Sequence, residues 1–265
     1  MMIVDSHCHF DAAEFDRDRD TAYQRACAAG VTAQVVPAIC ARLWPQLKAV
    51  TTRYPGLYPA YGLHPMLLTE HRPNHLQQLA DWLEREKPVA VGECGLDYFV
   101  TELDPQTQLD YFTAQLKLAR DYDLPVIIHA RRAVDEVIKT IRRFHGLRGT
   151  VHSFSGSEQQ ARRLLDLGFL LSFGGPLSYP RANRLRTLIR VLPLEGLLLE
   201  TDAPDQPGLL HRGERNEPAF ITETLTVMAQ LREQDPAVIA AVTARNAANL
   251  FGFDLCPTPL PEPKS

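Results

Sequence analysis

The chain has 265 residues, 45% of them hydrophobic and 23% charged, which is an ordinary globular composition able to bury one sizeable core in one or two domains. Its 28 Lys and Arg against 32 Asp and Glu give a formal net charge of −4, and no basic stripe stands out, so nothing in the balance points to wrapping a long polyanion. A nucleic-acid substrate would have to be held locally, at a strand end in a pocket.

Short apolar runs bounded by turn residues recur along the chain and read as strands: Met2–Asp5, Val31–Pro37, Leu57–Leu63, Val89–Gly92, Val126–Ile128, Thr150–Val151, Leu170–Phe173 and Leu197–Leu199. Amphipathic stretches between them read as helices over Asp16–Ala29, Asn74–Glu86, Pro105–Tyr122, Val134–Phe144 and Glu158–Leu167, with two more at Pro218–Leu231 and Pro236–Phe251. Asp104-Pro105 and Ser157-Glu158 each place a capping side chain just before a helix. Continuous apolar strands alternating with helices indicate a parallel sheet. Eight such strands are the count of a closed (β/α)8 TIM barrel; a doubly wound open sheet is the other arrangement. The expected organisation is one barrel domain over 1–255 and a loose Pro-rich tail over 256–265.

Five cysteines, at 8, 27, 40, 94 and 256, form no C-x-x-C pair, and an odd count in a chain of this length argues for free thiols in a reducing compartment. A strand-like Ile3-Val4 starts almost at once, so no signal peptide is expected, and no apolar run approaches membrane-spanning length. The expectation is a cytoplasmic protein with no membrane partner and no obligatory protein partner.

The chemistry stands at the strand ends. Ile3-Val4 leads into His7 and His9, Val89-Ala90-Val91 into Glu93, Val126-Ile127-Ile128 into His129, Thr150-Val151 into His152, and Leu197-Leu198-Leu199 into Asp202. In a parallel barrel these ends open on one face, so six metal-competent side chains would converge from five segments. Residues two apart on a strand share a side, which lets His7 and His9 face one ion while Cys8 faces away. Taken alone, the pair leaves two histidines at a surface strand end as the lesser alternative. The Glu93 carboxylate has two oxygens and could bridge two cations, with Gly92 and Gly95 permitting close backbone packing around it. By the same alternation Cys94 is read as a packed thiol. Taken singly, His129 and His152 are as readily core histidines as ligands of a second ion. Asp202 could ligate the first ion and manage the proton of an attacking water. Glu200, two residues earlier, is assigned a structural hydrogen-bonding role deeper in the barrel.

These segments resemble the TatD family of metal-dependent deoxyribonucleases, within the amidohydrolase-like metal-barrel superfamily. The matching stretches are Asp5-Ser6-His7-Cys8-His9-Phe10-Asp11, Gly62-Leu63-His64-Pro65, Gly92-Glu93-Cys94-Gly95-Leu96-Asp97-Tyr98, His129-Ala130-Arg131, His152-Ser153-Phe154-Ser155-Gly156, Glu200-Thr201-Asp202-Ala203-Pro204, Arg215-Asn216-Glu217-Pro218 and Asn249-Leu250-Phe251. They run in family order over nearly the whole chain. The resemblance implies one metal held by His7, His9, Glu93 and Asp202, and a second held by Glu93, His129 and His152. Two departures are Cys94, where the family often has isoleucine, and Glu214, where related proteins often carry a basic residue; the latter bears on phosphate contact by the loop 206–215.

His64 stands before Pro65 at the end of the third strand, and spacing alone does not assign it to a metal. It is expected to bind a phosphate oxygen or assist the leaving oxygen, with packing as the alternative. Arg131, Arg212 and Arg215 could clamp phosphate. His71, His75, His145 and His211 read as surface histidines.

The expected function is a divalent-metal-dependent hydrolase, a TatD-like 3′-5′ exonuclease or phosphodiesterase acting on DNA strand ends or a small phosphoester. In this reading two cations (zinc, manganese or magnesium) generate hydroxide from a shared water, with Asp202, Glu93 and His64 as catalytic residues. Two other readings stand beside it: a hydrolase of a small amide, lactone or ester, and a non-catalytic metal-binding protein. Many barrel relatives of the first kind bridge their metals with a carboxylated lysine, and no lysine stands at these strand ends.

Overall fold

A computed structural model describes residues 1–255. Eight parallel strands follow one another around a single sheet: β1 (Ile3–Asp5), β2 (Val31–Pro37), β3 (Leu57–Tyr61), β4 (Ala90–Asp97), β5 (Val126–Arg131), β6 (Gly149–Val151), β7 (Phe169–Phe173) and β8 (Leu197–Leu199). Each pairs in parallel with the next. The seam between β8 and β1 is closed by single backbone bonds: Ser6 N–H to the Leu199 oxygen at 2.9 Å, Asp202 N–H to the His7 oxygen at 2.9 Å, and His9 N–H to the Ala203 oxygen at 2.7 Å. The fold is a (β/α)8 barrel, and its seam runs through the segments that carry His7, His9 and Asp202.

The helices around it are α1 (Arg19–Ala28), α2 (Trp44–Arg53), α3 (Asn74–Glu86), α4 (Pro105–Asp121), α5 (Val134–Ile141), α6 (Glu158–Asp166), α7 (Asn183–Val191), α8 (Ile221–Arg232) and α9 (Pro236–Phe251). Start signals act as their chemistry dictates. The Asp104 carboxylate accepts the Thr107 N–H at 2.7 Å with Pro105 at the first helical position, and Ser157 forms a reciprocal capping box with Gln160. No helix among the described residues is long and apolar enough to cross a membrane. Cys8, Cys27, Cys40 and Cys94 are free; Cys256 and the expected tail lie outside the described residues.

Two helices escape the sequence reading. In α2 a proline follows Trp44 and Val50-Thr51-Thr52 lowers helix propensity, which hides the pattern. In α7 only nine residues are available, although Leu185, Leu188 and Ile189 keep helical spacing. Strands β4 and β5 also run further than expected, so Glu93 and His129 lie inside strands rather than beyond them.

Alternation divides the core in two. Val4, Val35, Ala60, Ala90, Ile127 and Leu198 cluster on one face, closed by Leu250, Phe251 and Phe253 at the end of α9, and form the barrel interior. Their strand neighbours, such as Val91, Ile128, Val151 and Leu199, join the layer packed against the helices, with Phe112 and Leu116 of α4 and Leu164 of α6. The β4–β5 register shifts between Val91 and Cys94, so simple alternation stops being a guide at Glu93. Cys94 is nevertheless buried in the core, its Sγ 3.8 Å from the Ile127 oxygen.

Close approach of β4 to its neighbours depends on glycine. A Cβ on Gly62 would stand 2.6 Å from the Gly92 carbonyl carbon, and one on Gly95, at φ 142°, would collide with the His129 carbonyl oxygen. Gly95→Ala is expected to cost roughly 2 kcal/mol or more, lowering Tm by about 4–8 °C in a scanning-fluorimetry melt. A Tm within about 1 °C of the wild type would contradict this account of the β4–β5 approach.

Candidate metal centre

Strand direction brings the six donors together. Ile128 and Val151 face the helices, so the next residues, His129 and His152, turn into the barrel mouth. Asp202 follows β8 at φ 58°, a left-handed conformation that aspartate tolerates, and this turn aims its carboxylate at the β1 histidines.

Four donor atoms form one compact group. His7 Nε2 and His9 Nε2 are 3.3 Å apart; His7 Nε2 lies 3.2 Å from Glu93 Oε2 and 3.4 Å from Asp202 Oδ1, and His9 Nε2 lies 3.4 and 3.6 Å from the same two oxygens. A tetrahedron with ligand bonds of about 2.0–2.1 Å has edges of about 3.3 Å. The other Glu93 oxygen, Oε1, serves a second group: it is 3.2 Å from His129 Nδ1 and 2.8 Å from His152 Nε2, which are themselves 3.2 Å apart. One carboxylate thus offers an oxygen to each group. Glu93 Oε2 is fully buried and takes part in no hydrogen bond, although two imidazole nitrogens stand beside it. An orphaned oxygen of this kind fits a ligand atom facing a cation.

The electrostatics agree. Burial alone would raise the Glu93 carboxyl, but the His64, His152 and His7 imidazoles hold it well below the usual range. Burial would likewise lower His9 and His152, yet Glu93 raises them to about 9 and about 10. His7 is lowered to about 4 by burial and by His152. The centre is built around positive charge, which protons supply when no metal is bound.

Side chains behind the donors fix their orientation. His129 Nε2 donates to Asp97 Oδ2 at 2.9 Å, leaving Nδ1 free to ligate; His9 Nδ1 donates to the Pro37 oxygen at 3.2 Å, leaving Nε2 free. Gln206 donates to Asp202 Oδ2, leaving Oδ1 in the first group. Glu200 is buried between the Ser153 N–H and the Ser172 hydroxyl, which gives both its oxygens partners. Gln108 and Gln115, two turns apart on α4, each grip one backbone unit with both ends of the amide. Gln108 pairs with the N–H and C=O of Asp97 at 2.7 and 3.0 Å, and Gln115 with those of Leu63 at 2.7 and 3.1 Å. Sequence reasoning assigned no role to Asp97, Gln108, Gln115 or Gln206. The one available signal was two glutamines among the apolar positions of α4, where an unpaired amide would be costly.

The remaining expectations divide. His64, which spacing could not place, sits inside the cluster with Nε2 2.9 Å from Glu93 Oε1. Its Nδ1 accepts the Met66 N–H at 3.1 Å, so the neutral ring carries its proton on Nε2 and faces the centre as a donor. His71 is corrected: it is buried, not a surface residue, and Nε2 donates to the His64 carbonyl at 2.8 Å. His145 is exposed and His75 half-buried, while His211 stacks on Phe220 and faces Glu214. Arg131 lines a cavity of about 780 Å³ that opens over the centre. Arg215 does not line it and is corrected as a phosphate clamp, because its guanidinium is committed to Asp18, Glu217 and the Glu14 carbonyl. Arg212 is exposed and also lies outside the cavity wall.

The family model described as TatD related DNase matches residues 4–252. A metal-dependent hydrolase of Escherichia coli K12, YjjV, is 43% identical over 252 residues, covering 94% of this chain and 97% of that protein. Its crystal structure superposes with a TM-score of 0.92 over 95% of this chain and 98% of that one, at 42% identity. A protein of Cronobacter sakazakii named 3′-5′ ssDNA/RNA exonuclease TatD is 35% identical over 259 residues, covering 94% and 97% of the two chains. The chain belongs to the TatD family.

Asp97→Asn keeps the side chain's shape but removes the charge behind His129. Metal affinity is expected to fall about 10- to 100-fold in competition against a chromogenic chelator, with the fold retained. Unchanged affinity would show that Asp97 does not tune the centre.

Proposed function

We propose that this TatD-family chain is a metal-dependent phosphodiesterase that shortens nucleic-acid strands from an end. The observation that carries the reading is Glu93, one buried carboxylate offering an oxygen to each of two donor groups beneath an open cavity. Family membership and the exonuclease-named relative support the substrate class.

His7, His9, Glu93 and Asp202 would hold one divalent cation, and Glu93, His129 and His152 a second. What such cations supply is Lewis acidity, which neutralises charge growing on phosphoryl oxygens and makes water a better nucleophile near neutral pH. The chain's own residues do the rest. Asp202 would ligate the first cation through Oδ1; its Oδ2 accepts the Gln206 N–H through one lone pair and keeps the other to take the proton of the attacking water. His64, fixed by the Met66 amide with its proton on Nε2, points that proton at Glu93 Oε1 and would donate it instead to a phosphate oxygen or the departing oxygen when a cation takes that Glu93 oxygen. Arg131 stands at the cavity wall to meet a phosphate. Among the described residues that line the cavity Arg131 is the one lysine or arginine, which matches a substrate held locally rather than wrapped.

End-labelled single-stranded DNA incubated with the protein and zinc, manganese or magnesium should give a ladder receding from one end, abolished by chelation. His64→Gln should lower kcat about 100-fold while metal content is retained. Hydrolysis of a lactone or amide panel with intact DNA would replace this reading by that of a small-molecule hydrolase.

A further inference from the structure

The cavity differs chemically on its two sides, with Arg131 in one wall and Phe99 and Arg132 beside Arg131, outside the lining itself. Past β4, Phe99 is 45% exposed, and the guanidinium carbons of Arg131 and Arg132 lie 3.6 and 4.6 Å from its ring centroid. Arg132 holds a left-handed backbone at φ 54°, a strained conformation for arginine that accompanies its return over the ring. The loop is tied down by one carboxylate: Asp97 Oδ1 accepts the Phe99 N–H at 2.9 Å and the Val100 N–H at 3.2 Å, while its Oδ2 holds His129. The aromatic and cationic layer is therefore fixed relative to the metal ligand beside it. In an eight-stranded barrel β4 faces β8 and β5 faces β1. On that opposite rim the exposed charged groups lining the cavity are Glu14, after β1, and Asp205, after β8.

We infer that Phe99, Arg131 and Arg132 form a landing surface for single-stranded nucleic acid. The base next to the scissile bond stacks on the aromatic–guanidinium layer, and its phosphate is held by the N–H groups of Arg131. Aromatic rings and guanidinium planes accept any base, which gives sequence-tolerant holding. The chain runs outward over the β4–β5 rim, where the cations are. Only its end fits toward Glu14 and Asp205, because a further phosphate there would meet two carboxylates. This rests on the phosphodiesterase reading above and adds a direction and a subsite to it.

The metal-loaded enzyme is tested on a fluorescein-labelled single-stranded deoxyoligonucleotide and on methyl 4-nitrophenyl phosphate, a diester with no base to stack. Phe99→Ala should lower the ratio of kcat/KM for the oligonucleotide to that for the small ester about tenfold, chiefly through oligonucleotide KM. Phe99→Tyr should restore it. Anisotropy of the same oligonucleotide in EDTA reads binding without turnover. There Phe99→Ala and Arg132→Ala should raise Kd several-fold, and Arg131→Ala should reduce the slope of log K against log salt by about 0.7. Wild-type cleavage and binding left unaltered in these variants would overturn the landing surface alone. A wild type that hydrolyses the small ester but neither binds nor cuts the oligonucleotide would overturn it together with the nuclease reading.

Discussion

The Glu93 carboxylate is ionised and buried in the mouth of the barrel, and an isolated charge in such a place would be prohibitively costly. Everything around it answers that constraint. Four imidazoles, from His7, His64, His129 and His152, direct nitrogens at its two oxygens within 3.2 Å, and His9 adds a fifth at 3.4 Å. Imidazoles can meet the charge only by carrying protons or by sharing cations with it. In the second case the burial that is costly in the empty protein becomes the source of metal affinity, because low dielectric strengthens every ligand bond.

Holding five rings against one carboxylate requires a frame that cannot relax. Gly62 and Gly95 let the neighbouring backbones reach β4 at van der Waals distance. The β1–β8 seam is closed by backbone bonds at His7, His9 and Asp202 themselves, so barrel closure and donor placement are one event. Helix α4 contributes through Gln108 and Gln115, which hold the backbones of Asp97 and Leu63 from outside the sheet. Asp97 then links the metal side to the rim, with His129 on one oxygen and the Phe99 loop on the other.

Much of this was legible because parallel strands put chemistry in a readable place. His129 and His152 follow short apolar runs whose alternation turns the ring inward, His7 and His9 lie just past the end of β1 where only their two-residue spacing is readable, and the barrel itself follows from eight such runs. Glu93 was found by its position after Val89-Ala90-Val91, although the register shift there makes its direction unreadable from spacing. Contacts between distant side chains and backbone left no local trace. Gln115 reaches Leu63 across 52 positions, and Arg215 is taken from the site by Asp18, 197 positions away. His71 looked like a surface histidine because nothing in its neighbours announces a bond to the His64 carbonyl. Helices α2 and α7 were missed for weak or short periodicity, and neither carries a donor.

The central claim is that one carboxylate joins two metal positions, and metal content after replacing Glu93 tests it most directly. Glu93→Gln keeps the shape and one carbonyl oxygen but removes the charge. Mass-spectrometric metal analysis of gel-filtered protein should find about two equivalents of zinc or manganese in the wild type and well under one in the variant, with the fold intact by circular dichroism. A variant that retains about two equivalents at wild-type affinity would contradict the account.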